Sequence, residues 1–342
     1  MQRLLWIGSP FFGAELRACG WQSVFMHNFE APLAYGWQDL VQLAGFEPDV
    51  LVVADKSRAP FVLGMEDFPC LTVFYSVDAH IHSWQPFYAQ AFDVCLVSLR
   101  DAMSSFAGPF LPKERILWSP PFAKTEDVPL DVSLERVARE WDCLFVGNVN
   151  DDLPRRKAFL AELQQKLPGL HVTRGDYRQL FSRAKVLLNQ CEHDDLNFRV
   201  FEALGCGGCL VTPRVGHGLD TLFVEGEHLV CYTPDRADEA LACIDFLLQH
   251  PEQAERMRQA GRAAVDAGHR AIHRARAFTE RIKELAADVA DSVAQRRAQA
   301  EVIRDQSLRL LYLHLAAVAD PNVGLRTAWL AASKGIWGNW GK

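Results

Sequence analysis

The residues with the clearest chemical potential lie between positions 189 and 212, in the segment NQCEHDDLNFRVFEALGCGGCLVT. Its apolar pattern predicts the end of a strand, then a polar loop, then a helix that begins near Leu196. Glu202 falls inside this helix, where a carboxylate can accept hydrogen bonds from two vicinal hydroxyls, and the helix amino end can hold a phosphate. The alternative is a helix capped by Asp194 and Asp195, with Glu202 merely solvated.

A second polar cluster follows an apolar run that ends at Ser76. Asp78, His80 and His82 come at the carboxyl end of that predicted strand, the edge at which ligands bind in open parallel sheets. A carboxylate and two imidazoles suit the orientation of a ligand or a proton relay to a hydroxyl. Two alternatives stay open: an ordinary hydrogen-bonded turn, and a metal site, which requires both histidines on one face of an extended backbone.

Two other patterns carry less weight. Cys206 and Cys209 have the spacing of zinc and redox sites, but no second pair accompanies them. Gly8 and Gly13 enclose a turn after the first predicted strand, as in a dinucleotide fingerprint, but Pro10 stands where the middle glycine is needed. We therefore expect neither a metal nor a nicotinamide site here.

The elements that position these residues are short apolar runs separated by helical patterns. Such runs, closed by Gly, Pro, Ser or Asp, predict buried parallel strands covered on both faces. The predicted strands are Leu4–Gly8, Ser23–His27, Val50–Ala54, Leu71–Ser76, Val94–Ser98, Ile116–Ser119, Cys143–Val146, Leu170–Thr173, Val186–Asn189, Cys209–Thr212 and His228–Tyr232. Helical spacing is clearest at Arg155–Lys166 and Ala237–Gln249.

A proline-rich, charged stretch interrupts this alternation and predicts a linker between two Rossmann-like halves. The expected organisation is a first domain at 1–120, a linker at 121–141, a second domain at 142–270 and a helical tail at 271–342. The tail has neither Gly nor Pro from Ala271 to Ala317, which predicts one or two long helices. Trp337 and Trp340 are expected to pack on the body of the protein, with docking of a partner as the alternative.

Composition narrows the class of protein. The chain has 342 residues, 49% hydrophobic and 23% charged, which is typical of a soluble protein with about two domains. Its net charge of −7 argues against nucleic acid as the main partner. Nine scattered cysteines do not form a secreted disulfide framework. The sequence shows neither a signal-peptide core nor an apolar run of membrane-spanning length, so we expect a cytoplasmic protein.

The segment around Glu202 resembles the double-glutamate signature of retaining, GT-B-fold glycosyltransferases of the group 1, or family 4, type. Residues 202–207, Glu-Ala-Leu-Gly-Cys-Gly, match its second half, and residues 196–202 are similar to the spore-maturation-protein branch. The resemblance implies that Glu202 holds the ribose hydroxyls of a nucleotide. It also places Asn197 and Arg199 at the donor site.

The first glutamate of this signature falls at Asp194. The resemblance therefore implies that a shorter carboxylate contacts the donor sugar, with Glu192 or Asp195 as the alternative. A cation downstream of the first strand of the second half would bind the donor diphosphate, because a guanidinium matches its charge and geometry. The candidates, among which the sequence does not choose, are Arg155, Arg156 and Lys157. The other implied site residues are Gly147, Asn148, Gly218 and Leu219 beside the nucleotide, and Gly13 near the acceptor and the sugar.

The resemblance implies a GT-B fold, with two Rossmann-like domains facing across a cleft and terminal helices that return to the first domain. The implied activity is the transfer of a sugar from a nucleotide-sugar, a UDP-sugar by default, to a glycan, metabolite or protein. Retention of configuration and independence of metal and cofactor are expected, and Asp78, His80 and His82 would face the sugar or the acceptor. The alternatives are a catalytically degenerate GT-B protein that binds a nucleotide or a partner, and a nicotinamide-dependent oxidoreductase.

Overall fold

The computed structural model describes residues 3–28, 33–130, 139–285, 289–319 and 324–337. The chain divides into two compact units. Unit 1 comprises Met1–Pro120 with Ala275–Lys342, and unit 2 comprises Pro121–Arg274. Among the described residues, no helix has the length and apolar character needed to cross a membrane.

Unit 1 contains a six-stranded sheet in which every pair of neighbours is parallel. The strands are β1 (Arg3–Gly8), β2 (Ser23–His27), β3 (Val50–Ala54), β4 (Leu71–Ser76), β5 (Val94–Val97) and β6 (Ile116–Trp118), in the order β2-β1-β3-β4-β5-β6. Strands β3, β4 and β5 are wholly buried, because their continuous apolar residues meet packing partners on both faces. The first helices of this unit are α1 (Trp37–Ala44), α2 (Gln85–Ala89) and α3 (Met103–Phe106).

Unit 2 contains a second parallel sheet, of five strands. Its strands are β7 (Trp141–Val146), β8 (Leu170–Thr173), β9 (Ala184–Leu188), β10 (Leu210–Pro213) and β11 (Val230–Tyr232), in the order β11-β10-β9-β7-β8. Its helices are α4 (Pro154–Lys166), α5 (Tyr177–Leu180), α6 (Phe198–Gly205), α7 (Leu219–Leu222), α8 (Ala237–Gln249) and α9 (Pro251–Gly268). Every predicted strand is present, and most ends differ from the predicted ones by no more than two residues.

The order of connection reverses once in each sheet. In unit 1 the reversal falls between β1 and β3, and in unit 2 it falls between β7 and β9. Such a switch point leaves a crevice at the carboxyl ends of the two strands, where ligands bind in folds of this kind. The polar residues predicted from sequence follow these strands or their neighbours.

In the glycine turn after β1, other residues of the protein occupy the space next to both glycines. Gly8 has φ of 111°, and a Cβ there would lie 2.0 Å from the carbonyl oxygen of Ala54, so only glycine fits. Gly13 is buried, and its Cβ would come within 2.9 Å of the Trp6 and Met26 side chains. Packing therefore accounts for both glycines without a bound pyrophosphate.

The C-terminal helices follow α9, and from Ala275 onward they belong to unit 1. They are α10 (Ala271–Leu285), α11 (Val289–Ala298), α12 (Ala300–Ile303), α13 (Arg309–Val318) and α14 (Gly324–Ala332), with a π-helical turn at Arg304–Leu308 between α12 and α13. The expected one or two long helices are thus divided, since Gln299 departs from helical geometry. Trp337 lies against Gly64, whose added Cβ would be 3.3 Å from the ring, whereas Trp340 falls outside the described residues.

A buried ion pair attaches these helices to the first sheet. Arg296 Nε lies 3.1 Å from Asp93 Oδ1, and the two side chains are 4% and 1% exposed. The same guanidinium donates to the carbonyl oxygens of Phe68 and Cys70 at 2.9 and 2.8 Å, and Asp93 Oδ2 accepts from the Thr72 N–H and hydroxyl. Because both charges are fully hydrogen-bonded, the pair specifies how α11 docks.

Glu66 is a second buried acid in unit 1, and its environment differs. It is completely buried, and neither carboxyl oxygen has a hydrogen-bond partner among the described residues. Arg304 Nη1 stands 4.0 Å away. Burial raises the pKa of Glu66 to about 7, against the opposing attraction of Arg304.

We expect the stability of unit 1 to fall as the pH rises, and Glu66→Gln to remove much of that fall. The folded-state pKa lies above the ordinary 4.5, so this stabilisation is full below pH 4.5 and is lost as the pH rises through about 7. Urea unfolding at pH 5 and pH 8 measures the free energy of unfolding. Between these two pH values it should fall by about 2 kcal/mol more in the wild type than in the variant. Glu47→Gln, at an exposed site, is the control, and an equal loss in all three proteins would contradict the expectation.

Candidate functional site

Two guanidinium groups converge on one aromatic ring at the switch point of unit 2. Phe145 is fully buried near the end of β7, and Arg156 and Arg199 place their Cζ atoms 5.8 and 5.4 Å from its ring centroid. Arg156 lies in the first turn of α4, and Arg199 lies in the first turn of α6. The ring holds both cations by cation–π attraction at the carboxyl edge of the sheet.

Arg199 is the more enclosed of the two cations. Its Nε is buried and has no hydrogen-bond partner in the described part of the chain. Burial lowers the pKa of the Arg199 guanidinium; the positive charge of Arg156 acts in the same direction, and Glu202 opposes it. The Arg156 guanidinium donates to Gln190 and to the Asn148 carbonyl oxygen, at 3.0 to 3.4 Å. An anion would relieve the repulsion between the two groups.

Gly147 makes room for this arrangement. A Cβ there would lie 3.0 Å from Arg199 Nη1 and 3.1 Å from the ring of Phe145. A larger residue would therefore displace the guanidinium. Asn148, the next residue, is exposed, and its carbonyl oxygen accepts from Arg156 Nη1 at 3.2 Å.

Arg155 points away from this pair and is engaged by two carboxylates. It forms two parallel hydrogen bonds to Asp194, at 3.0 and 2.9 Å, and its Nη2 lies 2.6 Å from Asp235 Oδ2. Both aspartates have positive φ, 56° and 62°, a strained conformation that these contacts help to hold. Hydrogen bonding to Asp194 and then to Asp235 raises the pKa of Arg155 above its ordinary value.

The other predicted cation of this region, Lys157, and the acid Glu192 also have protein partners. Lys157 Nζ lies 2.6 Å from Asp151 Oδ1, and both side chains are more than half exposed. Glu192 is 6% exposed and accepts from the backbone N–H groups of Arg155 and Arg156 at 3.1 and 2.8 Å. Its carboxylate thereby caps the amino end of α4, where a negative charge is favourable.

Asp194 does not cap α6, a role that the alternative interpretation of this segment gives to Asp194 and Asp195. Helix α6 begins at Phe198, and the side chain of its N-cap residue, Asn197, makes no capping hydrogen bond. Asp194 pairs with Arg155 instead. Asn197 Oδ1 accepts from Asn189 Nδ2 at 3.2 Å, which fixes the start of the helix against the end of β9.

Glu202 lies on α6 in a largely buried setting. Burial raises its pKa, Asp127 acts in the same direction, and Arg199 and Lys124 oppose it. Tyr177 is also near enough to interact, since the charge of Glu202 contributes to the raised pKa of its phenol. Glu202 is thus a carboxylate one turn from Arg199 with an aromatic hydroxyl beside it.

Asp127 is a component of this setting that the sequence analysis missed. It is completely buried and accepts from the Tyr177 hydroxyl at 2.8 Å and from Arg178 Nε at 2.7 Å. Arg270 Nη1 donates to the carbonyl oxygens of Lys124 and Asp127 at 2.9 and 2.6 Å, which holds residues 124–127 against the chain just after α9 within unit 2. The sequence predicts a linker here, and no local pattern indicates these partners.

The remaining predicted residues of unit 2 have clear structural roles. Gly218 has φ of 87° and precedes α7, in which Leu219 is buried. Cys206 and Cys209 are both buried and unpaired. Burial raises the pKa of Cys206 to about 12 and that of Cys209 to about 11, which leaves these thiols inert as nucleophiles.

In unit 1, Asp78, His80 and His82 lie in a turn after β4. The N–H groups of Ile81 and His82 donate to the Asp78 carbonyl oxygen at 3.0 and 2.9 Å, so the segment is not extended. Burial raises the pKa of Asp78; a hydrogen bond from Ser57 opposes this shift. His82 Nε2 lies 3.1 Å from Ser57 Oγ. Ser57 and Asp55 were not singled out from the sequence, although Asp55 directly follows a buried strand.

Over the ranges that the structure describes, no group of three or more His, Cys, Asp and Glu side chains is arranged to hold a metal ion.

Comparison with known proteins agrees with this architecture. Residues 133–280, less than half of the chain, match the family described as "Glycosyl transferase-like". No curated protein sequence matches the chain.

Several solved structures share the fold at low sequence identity. Sucrose-phosphate synthase from Thermosynechococcus elongatus has 13% identity and a TM-score of 0.57, with 84% of this chain and 100% of that chain covered. A glycosyltransferase from Rickettsia africae has 10% identity and a TM-score of 0.55, covering 83% and 98%. Anabaena HepE, in complex with UDP and glucose, has 13% identity and a TM-score of 0.52, covering 83% and 100%. The predicted GT-B fold class is confirmed, and the family match and the fold together support a glycosyltransferase.

We expect Glu192→Ala to destabilise unit 2 by about 1–2 kcal/mol, because two N–H groups at the start of α4 lose their acceptor. Urea unfolding measures the change. Glu162→Ala is the matched control, since Glu162 lies on the same helix in an exposed ion pair with Lys166 and should cost less than about 0.5 kcal/mol. Equal losses in both variants would contradict the capping role.

Proposed function

We propose that the protein is a glycosyltransferase that binds a nucleotide-sugar donor in unit 2. The observation that carries this proposal is the pair Arg156 and Arg199 on Phe145. Neither cation pairs with a carboxylate among the described residues, and both lie at the switch point of the sheet. A diphosphate supplies two negative charges and the acceptor oxygens that these guanidinium groups need.

Arg156 is the member of the basic run that we assign to the diphosphate. Arg155 already has two carboxylate partners, and Lys157 pairs with Asp151 on the exposed side of the helix. Arg156 alone is directed towards Gln190 and Phe145, beside Arg199.

Glu202 is assigned to the ribose of the donor. It lies one turn along α6 from Arg199, so a nucleotide whose phosphates meet Arg199 can present its sugar to this carboxylate. Two vicinal hydroxyls donating to one carboxylate compensate for its burial. Anabaena HepE was solved with UDP and with glucose, which supports UDP as the first nucleotide to test.

Transfer with retention and without a metal ion is the mechanism that we propose. The two guanidinium groups would stabilise the charge that develops on the diphosphate as the sugar leaves, a task for which other enzymes use a cation. The acceptor would be a glycan, a metabolite or a protein. Nine unpaired cysteines favour the reducing cytoplasm as the location.

One observation favours the second candidate, a GT-B protein that binds its nucleotide without turnover. Asp194 stands where the resemblance places a sugar-binding glutamate, and it is committed to Arg155 by two hydrogen bonds. Measurement of donor hydrolysis separates the two candidates.

We expect the wild type to bind UDP. The variants Arg156→Ala, Arg199→Ala and Glu202→Ala should each bind UDP at least about tenfold more weakly, because each removes a charged hydrogen-bonding group. Isothermal titration calorimetry measures the dissociation constant. Lys157→Ala is the matched control and should bind UDP as the wild type does, since its partner is the exposed Asp151.

Absence of binding of UDP, GDP, dTDP and ADP to the wild type would overturn the proposal. An equal loss in Lys157→Ala would show that net charge, not the Arg156–Arg199 pair, accounts for affinity. Binding of NAD in place of a nucleoside diphosphate would support an oxidoreductase.

We expect hydrolysis of UDP-α-glucose, if this is the donor, to release the α-anomer first and to continue in EDTA. Retention preserves the configuration at the anomeric carbon, and the two arginines stand in for a metal. Proton NMR of the anomeric signals before mutarotation gives the result. Initial release of the β-anomer, or loss of the rate in EDTA, would contradict the proposed mechanism, and tight binding without hydrolysis would favour the second candidate.

A further inference from the structure

We infer that Asp55 is the positioning residue of a hydroxyl-binding site in unit 1, formed by Ser57, Asp78 and His82. The ligand class is an alcohol group, such as that of a saccharide acceptor or the water that replaces it. This assignment rests on the proposed function, since a glycosyltransferase needs a place for the attacking hydroxyl.

Asp55 stands at the switch point of the first sheet, directly after β3. It is 4% exposed, and its two carboxylate oxygens accept four hydrogen bonds. Oδ1 accepts from the Ser57 N–H at 2.7 Å. Oδ2 accepts from the N–H groups of Val77 and Asp78 at 3.1 and 2.9 Å, and from Gln85 Nε2 at 2.7 Å. One carboxylate thus fixes the loop after β3, the loop after β4 and the start of α2.

Ser57 is held in a conformation that serine rarely adopts. Its φ is 53°, in the left-handed region, and it is exposed. This backbone strain persists only where the surroundings determine it, and the hydrogen bond to Asp55 does so. The result is a hydroxyl that faces solvent at a defined place.

His82 and Asp78 are the side chains next to that hydroxyl. His82 Nε2 is 3.1 Å from Ser57 Oγ, and the Asp78 carboxylate interacts with the same serine. The indole of Trp84 lies 5.8 Å from the imidazole, ring centroid to ring centroid. A hydroxyl, a carboxylate and an imidazole together offer both donors and acceptors, and an adjacent indole offers an apolar face. That combination suits a hydroxylated ring.

The first experiment observes the positioning directly. With 15N-labelled histidine, and His82→Gln to assign the signal, we expect Ser57→Ala and Asp55→Asn each to move the His82 Nε2 resonance. Asn cannot accept all four hydrogen bonds, so the Ser57 loop relaxes. Asp39→Asn is the matched control: Asp39 also accepts a backbone N–H bond in unit 1, from Gly36 at 2.9 Å, and should leave the resonance in place.

The second experiment observes the reaction. Hydrolysis of UDP-glucose should slow about tenfold in Ser57→Ala, Ser57→Gly and Asp55→Asn, while the dissociation constant of UDP stays unchanged. Glycine relieves the strain and alanine does not, so equal losses identify the hydroxyl as the cause. Ser105→Ala, an exposed serine of the same unit, should hydrolyse at the wild-type rate.

The outcomes separate this inference from the proposed function. An unmoved His82 resonance in Asp55→Asn would show that Asp55 does not position the site, whether or not UDP binds. A moved resonance with unchanged hydrolysis would overturn the hydroxyl-binding role. If the wild type fails to bind UDP, the proposed function and the saccharide ligand assigned to this site are both overturned. The His82 resonance then still shows whether Asp55 positions the Ser57 loop.

Discussion

Two buried carboxylates fix the loops at the carboxyl edges of the two sheets, and the candidate sites depend on them. Asp55 accepts N–H groups from the loops after β3 and β4, and Glu192 accepts the first N–H groups of α4. N–H groups of the loops and of the helix start at this edge have no neighbouring strand to pair with, and an acid at the switch point supplies the acceptor that they need. Functional side chains then project from loops that are already ordered.

In unit 2, the ordered starts of α4 and α6 hold two positive charges close together. Two arginines contact the ring of Phe145, an arrangement that their mutual repulsion would disperse if their helices were free to move. Glu192 fixes the first turn of α4, and the hydrogen bond between Asn189 and Asn197 fixes the first turn of α6. The positive charges are therefore organised before any anion arrives, which lowers the reorganisation needed on binding.

The strands were predicted closely because each is a short apolar run bounded by polar residues; Val50–Ala54 has the predicted ends. The candidate residues at their carboxyl ends were found for the same reason. Asp55 and Asp127 were missed because their hydrogen-bond partners come from distant segments of the chain. A local sequence pattern does not show which strands and loops become neighbours in the folded sheet. The alternative in which Asp194 caps α6 does not hold, because a long-range partner, Arg155, binds the carboxylate.

The ion pair of Arg296 with Asp93 has a consequence for biosynthesis. Unit 1 is assembled from the first and last segments of the chain, with all of unit 2 between them. As the ribosome proceeds from the amino end, unit 2 is available to fold first, whereas the first sheet must wait for α11 and the helices beyond it. Until then Asp93 lacks its partner Arg296, and part of the apolar face of the first sheet is exposed to solvent. We therefore expect a chaperone to bind the N-terminal segment of unit 1 during synthesis.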